Sequence, residues 1–222
     1  MAWVEPIPMP TSLAILTLGQ WLSPAFPTGA FAYSHGLENA VEAGWISNSN
    51  NLETWLEDIL LYGSGRNDSL FLASSYNAKD FQELSEIDNL VRVFATSLER
   101  QIETTAQGDA FCKAVSLWNI DLKNCTYPVA LGHASRCQKI PLKLTQTLYL
   151  QAFLSNLIAV SQRLLPIGQE AGVRILRNLT PLFPQVAKTT KTGNLSQLSS
   201  TTFLSDISSM RHENQEKRIF RT

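Results

Sequence analysis

Apolar residues recur at steps of three and four along most of this chain, and that spacing limits what it can fold into. Such spacing places apolar side chains along one face of an α-helix. Two clear stripes are Leu52, Trp55, Leu56, Ile59, Leu60 and Leu84, Ile87, Val91, Phe94, Leu98. Patterns that alternate in the manner of a strand are scarce. The sequence therefore predicts an all-α fold, a single-domain helical bundle of about eight to ten helices.

Prolines and glycines mark where the predicted helices begin and end. Pro24 and Pro27 interrupt a first helix, because proline cannot donate to the helical hydrogen-bond ladder. Gly44 is well placed to end the next helix. Pro166 closes a long segment from 142 to 165, in which polar residues interrupt the apolar run. That segment is therefore predicted to be a core helix and not a membrane span.

The composition changes near residue 188. Serine and threonine dominate from there to residue 209, and a charged segment with apolar residues near its end covers 210–222. Such a stretch buries little surface, so it is a solvated tail or a segment that orders on a partner. We expect residues 1–187 to form the helical domain. Residues 188–222 are then a Ser/Thr-rich linker and a flexible, partner-binding C-terminal arm.

Charge and cysteine usage exclude several classes of function. The chain has 18 basic and 19 acidic residues, which gives a net charge of -1. This balance lacks the excess of positive charge that is typical of proteins that bind nucleic acid or a membrane surface. Cys112, Cys125 and Cys137 form no disulfide-like framework, and this favours a reducing compartment. The first residues also lack the pattern of a signal peptide. We therefore expect a cytoplasmic protein.

The motifs of known enzymes are missing. The sequence has no phosphate loop, no Gly-x-Ser-x-Gly elbow and no His-Glu-x-x-His helix. Two pairs keep an alternative open, a metal-binding helical protein or a small helical enzyme. His133 and Cys137 are four residues apart and share a helical face, where they could contribute to a metal site. His35 and Glu38 are three apart and could interact as acid and base. An ordinary structural role is the favoured interpretation of both pairs.

Two segments stand out by their composition. The stretch 22–38, LSPAFPTGAFAYSHGLE, concentrates prolines, glycines and aromatic residues. The stretch 163–169, RLLPIGQ, predicts a sharp corner between helices, because Gly168 permits a turn that a side chain would resist. Arg163 and Gln169 are available for hydrogen bonds at this corner. Both segments are structural devices or recognition surfaces.

These segments resemble the UreF family of urease accessory proteins. Residues 22–38 are similar to the family's N-terminal signature, and 163–169 to its Arg-Leu-x-Pro-Leu-Gly-Gln corner. The ending, 209–221, resembles the family's C-terminus. Ala30 and His35 depart from the pattern, which usually has glycine and glutamine there. The resemblance covers nearly the whole chain.

The resemblance implies an all-α scaffold, commonly a homodimer, that is not an enzyme and has no cofactor or metal site of its own. It would bind the accessory protein UreD (also called UreH) and the GTPase UreG, modulate UreG, and support nickel insertion into apo-urease. The C-terminal arm would order against UreD. The candidate partner-binding residues are Tyr33, Ser34, His35, Glu38, Arg163, Gln169, Arg211, His212 and Glu213.

Overall fold

The computed structural model describes residues 11–221, and eleven α-helices contain most of them. They are α1 (Thr11–Trp21), α2 (Leu37–Glu42), α3 (Ser49–Tyr62), α4 (Ser64–Asn77), α5 (Phe81–Phe94), α6 (Leu98–Val115), α7 (Tyr127–Cys137), α8 (Leu142–Leu164), α9 (Gln169–Leu179), α10 (Leu182–Thr190) and α11 (Phe203–His212). Short 3-10 helices lie at Ala30–Ala32, Ser116–Trp118 and Leu195–Gln197. Residues 11–221 contain no strand, so the predicted all-α, single-domain fold is confirmed. The interpretation of the first residues as lacking a signal peptide lies outside the described residues.

Helix α4 lies at the centre of the bundle, although its sequence, SGRNDSLFLASSYN, is polar on average. It packs against α3, α5, α7, α8 and α10. The close approach of α7 depends on Gly132, because a β-carbon there would overlap Ser75 Oγ and the carbonyl oxygen of Leu72. Small residues at such contacts allow neighbouring helices to pack closely against α4 on several sides. Its lack of a single apolar stripe explains why the spacing did not predict it.

Capping side chains set the helix boundaries around the later site. Asn48 Oδ1 accepts a hydrogen bond from the Asn51 N–H at 3.0 Å and begins α3. Ser97 Oγ accepts one from the Arg100 N–H at 3.1 Å and begins α6. The cap at Ser97 divides the apolar stripe that runs from Leu84 to Leu98, because α5 ends before it and α6 starts after it.

Aromatic side chains hold α1 to α6 in the core. Trp21 is fully buried and meets the ring of Phe111 edge-on, with 5.6 Å between the ring centroids. The Trp118 ring also meets Trp21 edge-on, with 5.7 Å between the ring centroids. Such edge-to-face pairs add to the stabilisation that burial supplies. Among the described residues, no helix has both the length and the apolar composition needed to cross a membrane.

The chain after α10 runs back over the bundle and packs against it. The Asn67 side-chain amide donates to the Ser199 carbonyl oxygen at 2.7 Å, and Ser208 Oγ donates to the Gly36 carbonyl oxygen at 2.6 Å. The domain boundary expected at residue 188 falls inside α10, which continues to Thr190. The flexibility of the arm in the free protein stays a prediction.

Candidate partner-binding site

The signature segment forms a loop on which the C-terminal arm packs. Gly36, immediately before α2, has a φ of 77°, a conformation that residues with a side chain rarely adopt. A β-carbon at Gly36 would lie 2.8 Å from the backbone nitrogen of Ser209. Glycine is therefore needed here both for the turn and for the close approach of α11.

The carboxylate of Glu38 holds the end of the chain. It accepts hydrogen bonds from the backbone N–H groups of Ile219 at 2.7 Å and Phe220 at 2.9 Å. The Phe220 side chain is buried, with 5% of its surface exposed. The Arg163 guanidinium lies over the Phe220 ring, 5.9 Å from its centroid. The corner segment and the signature thus meet at the chain end.

His212 links the carboxylates of two helices. Its Nδ1 lies 2.7 Å from Glu99 Oε2, and its Nε2 lies 3.3 Å from Glu38 Oε2. Arg218 Nη1 donates to Glu99 Oε1 at 2.9 Å. Both carboxylates are buried, and a buried charge is costly unless it is paired. We call the set Glu38, Glu99, His212, Arg218 and the backbone of Ile219 and Phe220 the tail clasp.

The neighbours of His212 in the chain make further contacts within the molecule. Glu213 Oε1 accepts a hydrogen bond from the Leu98 N–H at 2.8 Å, so a carboxylate lies at the N-terminus of α6, where the helix dipole favours it. The Arg211 guanidinium lies over the Trp45 ring, 5.3 Å from its centroid. These tail residues therefore hold α11 in place.

A second buried network adjoins the tail clasp at His35. The His35 Nε2 lies 2.6 Å from Ser64 Oγ, and its Nδ1 lies 3.8 Å from Glu103 Oε2. Burial lowers the pKa of His35, and the positive charge of Arg100 lowers it further. Burial alone would raise the pKa of Glu103, but its ion pair with Arg100 and its contact with His35 lower it to about 2. The network thus keeps a neutral imidazole beside a charged carboxylate near neutral pH.

Asp68 extends this network to a cavity of about 440 Å³ between α1, α6 and α8. Tyr149 Oη donates to Asp68 Oδ2 at 2.7 Å, and Arg100 lies 3.9 Å from the same oxygen. Burial raises the pKa of Asp68. The cavity lining also includes Arg163. Charged groups of the network therefore line a largely apolar cavity that is partly open to solvent.

The structure brings most of the predicted partner-binding residues together, but largely in the interior. Tyr33, Ser34, His35 and Glu38 are buried, and so is His212. Gln169 is exposed, and its Oε1 accepts a hydrogen bond from Gln162 Nε2 at 3.3 Å. Their direct contact with partners stays a prediction.

Two clasp residues were missed as site residues, namely Glu99 and Arg218. Arg218 stands in the ending that resembles the family, but nothing in the spacing of the two residues indicates that they would meet. The residues Glu99 and Arg218 are 119 positions apart in the chain. Only the folded chain brings them together.

The two pairs behind the alternative interpretation have other surroundings. His133 lies against the Phe81 ring at 5.7 Å between centroids, and Cys137 is exposed. Within residues 11–221, no group of three or more histidine, cysteine, aspartate or glutamate side chains could hold a metal ion. His35 forms a hydrogen bond with Ser64 Oγ, whereas Glu38 accepts a hydrogen bond from the backbone N–H of Ile219. His35 and Glu38 therefore contact different partners, and an acid–base role for this pair stays a prediction.

Comparison with known proteins agrees with this architecture. The family model described as UreF matches residues 46–180. The chain is 49% identical to a urease accessory protein UreF of Ruegeria pomeroyi, over 96% of this chain and 99% of that protein. It is 46% identical to a UreF of Roseobacter denitrificans over 94% of each chain, and 39% identical to a UreF 1 of Brucella anthropi over 96% of each.

These relatives and the helical fold define the class, an accessory protein that is not itself an enzyme. The chain belongs to the UreF family of urease accessory proteins. The resemblance noted from the sequence is thereby confirmed.

Proposed function

We propose that this chain is a cytoplasmic scaffold for nickel insertion into apo-urease. In this proposal it bridges a UreD/UreH-like accessory protein and a UreG-like GTPase, and it modulates the GTPase. Family membership supports the general role. The observation that carries the proposal is the orientation of α11, whose polar face points inward and whose apolar face points to solvent.

The inward face of α11 consists of Ser205, Ser208, Ser209 and His212. Its outward face carries Phe203, Leu204, Ile207 and Met210, which are 68%, 51%, 38% and 49% exposed. Helices at the surface of a globular protein normally show the opposite arrangement. A contiguous apolar surface of this kind marks a site of protein interaction. We therefore assign this stripe to the UreD/UreH-like partner, with the tail clasp holding α11 in position.

Charges placed in this stripe should prevent capture of the UreD/UreH-like partner. We expect the double variant Ile207→Asp/Met210→Asp to bind it at least tenfold more weakly, about 1.4 kcal/mol, because the carboxylates would be buried without partners. Isothermal titration calorimetry measures the affinity, and thermal unfolding should show a nearly unchanged melting temperature. The matched control is Val173→Asp on α9, which is 68% exposed but lies on another element. Equal affinity of the double variant and the control would refute the assignment.

A second apolar surface lies on α1 and supports a homodimer. Leu13, Ile15 and Leu16 of α1 are 73%, 46% and 63% exposed, and Phe31 nearby is 59% exposed. The helix, TSLAILTLGQW, contains no charged residue. Two copies could therefore meet at this helix about a two-fold axis without bringing like charges together. We propose that a second copy of the chain covers this surface.

The dimer proposal predicts a change of mass in solution. Leu13→Asp/Leu16→Asp should convert the dimer to a monomer, because the two-fold axis would bring added carboxylates close to one another. Sedimentation velocity or light scattering coupled to gel filtration measures this. Val93→Asp, at a side chain that is 81% exposed at the end of α5, should leave the dimer intact. A wild-type chain that is monomeric at all concentrations, or a double variant that stays dimeric, would contradict the proposal.

A further inference from the structure

Two cysteines outside the partner-binding site lie against each other. Cys112 is on α6 and Cys125 precedes α7, and both are buried free thiols. The two thiols are within hydrogen-bonding reach. The third cysteine, Cys137, is exposed at the end of α7. The three cysteines therefore comprise one buried pair and one exposed residue.

The backbone around Gly108 explains why the two thiols meet. A β-carbon at Gly108 would overlap the carbonyl oxygen of Cys125 and lie 2.6 Å from the carbonyl carbon of Thr126. At Gly108, the backbone of α6 therefore packs directly against the backbone of the loop that contains Cys125. Cys112 is one helical turn further along the same face, and helical side chains lean back toward the N-terminus. Its thiol is thereby directed at Cys125.

A small oxidant can reach Cys125 from solvent. Cys125 lines an open groove of about 530 Å³, together with Asp88, Arg92 and Asn124. The hydrogen bond from Cys125 lowers the pKa of the Cys112 thiol, whereas the same contact raises that of Cys125. The contact between the two thiols therefore favours a thiolate within the pair, and the thiolate is the nucleophilic form of cysteine.

We propose that Cys112 and Cys125 are a redox modification site, which a peroxide converts into an intramolecular disulfide. The thiolate of one cysteine attacks one peroxide oxygen, the O–O bond breaks, and hydroxide leaves. The sulfur of the other cysteine then attacks the resulting sulfenic sulfur and displaces its oxygen, and the proton of that second thiol leaves with the oxygen as water. Two thiols and one hydrogen peroxide thus give one disulfide and two waters. The sulfurs are oxidised and the peroxide oxygens are reduced.

The disulfide would join α6 to the segment that begins α7. It closes the loop that contains Ser116–Trp118. Helix α6 also carries Glu99 of the tail clasp, so the modified residue belongs to an element of the partner-binding site. Because cross-linking restricts the unfolded chain, the oxidised protein should melt at a higher temperature than the reduced one.

The test uses the full-length chain with Cys137→Ala, so that only the buried pair remains. After treatment with hydrogen peroxide, we expect both thiols to be lost on titration of the denatured protein. The intact mass should fall by two hydrogen atoms, peptide mapping should link the two cysteines, and dithiothreitol should restore both thiols. Adding Cys112→Ser or Cys125→Ser should abolish the cross-link, and circular dichroism confirms that these variants fold.

The wild-type chain supplies the internal reference, since its exposed Cys137 reports that the peroxide dose is sufficient. If Cys137 is oxidised while Cys112 and Cys125 both remain free thiols, the proposal is overturned. Addition of oxygen to either buried cysteine without a cross-link would overturn it as well. Neither result depends on the partner-binding assignment, so this proposal and the scaffold role can fail separately.

Discussion

Replacing His212 by alanine should lower the free energy of unfolding by about 3 kcal/mol, because it removes one member of a buried charged network. His212 is fully buried and its ring nitrogens lie 2.7 Å from Glu99 and 3.3 Å from Glu38. Without the imidazole, both carboxylates keep their other partners but lose their link to α11. Urea unfolding followed by circular dichroism measures the loss.

The same substitution should loosen the chain end. The N–H groups of Ile219 and Phe220 donate to Glu38, so their hydrogen exchange should accelerate when the clasp is weakened. Arg211→Ala is the matched control, because it removes a cation from the same helix but only a contact with the Trp45 ring. That control should cost about 0.5–1 kcal/mol. A loss no larger for His212→Ala than for Arg211→Ala would show that the clasp does not stabilise the fold.

Adding one methyl group at Gly108 should destabilise the protein by about 2–3 kcal/mol, although alanine favours a helix by about 1 kcal/mol. The obstacles are backbone atoms of Cys125, Thr126 and Tyr127, which cannot rotate away as a side chain can. Helix α6 and the start of α7 would have to separate. Thermal and urea unfolding of Gly108→Ala measure the effect.

Gly19→Ala is the control for helix propensity. Gly19 lies within α1, and a β-carbon there would meet no atom within 4 Å. Alanine should therefore stabilise this helix, by up to about 1 kcal/mol. The two substitutions are chemically identical. If Gly108→Ala lowers the free energy of unfolding and Gly19→Ala raises it, the difference comes from the close backbone contact at Gly108. Stabilisation by both would mean that α6 and the loop have room to relax.

The helices that the sequence predicted are those with one apolar face and clear end signals. Helix α3 follows the stripe from Leu52 to Leu60, and Gly44 ends α2 in the left-handed conformation that suits glycine. Helix α4 was not predicted, because its buried residues include small and polar side chains and lie on more than one face of the helix. Periodicity detects a helix with one buried face, and α4 is not such a helix.

The sequence predicted which segments form the candidate site, but it did not predict which residues of those segments contact one another. The signature, the corner and the tail were each singled out, and the structure joins the first and last through Glu38 and His212, 174 positions apart. The region after residue 188 was expected to bury little because it is rich in serine and threonine. Ser208 and Ser209 are instead buried, since their hydroxyls bond the Gly36 carbonyl oxygen and Ser97 Oγ. A polar side chain can be buried once a partner satisfies it.

The sequence by itself determined the helical class, several helix ends and the family, because each depends on residues a few positions apart or on ordered motifs. Only the tertiary structure decided that α11 faces its serines inward and that the buried carboxylates of Glu38 and Glu99 are paired by the tail. A helix forms from neighbours within about four residues, whereas a buried charge needs a partner from wherever the chain supplies one. That partner becomes visible only when distant segments are folded together.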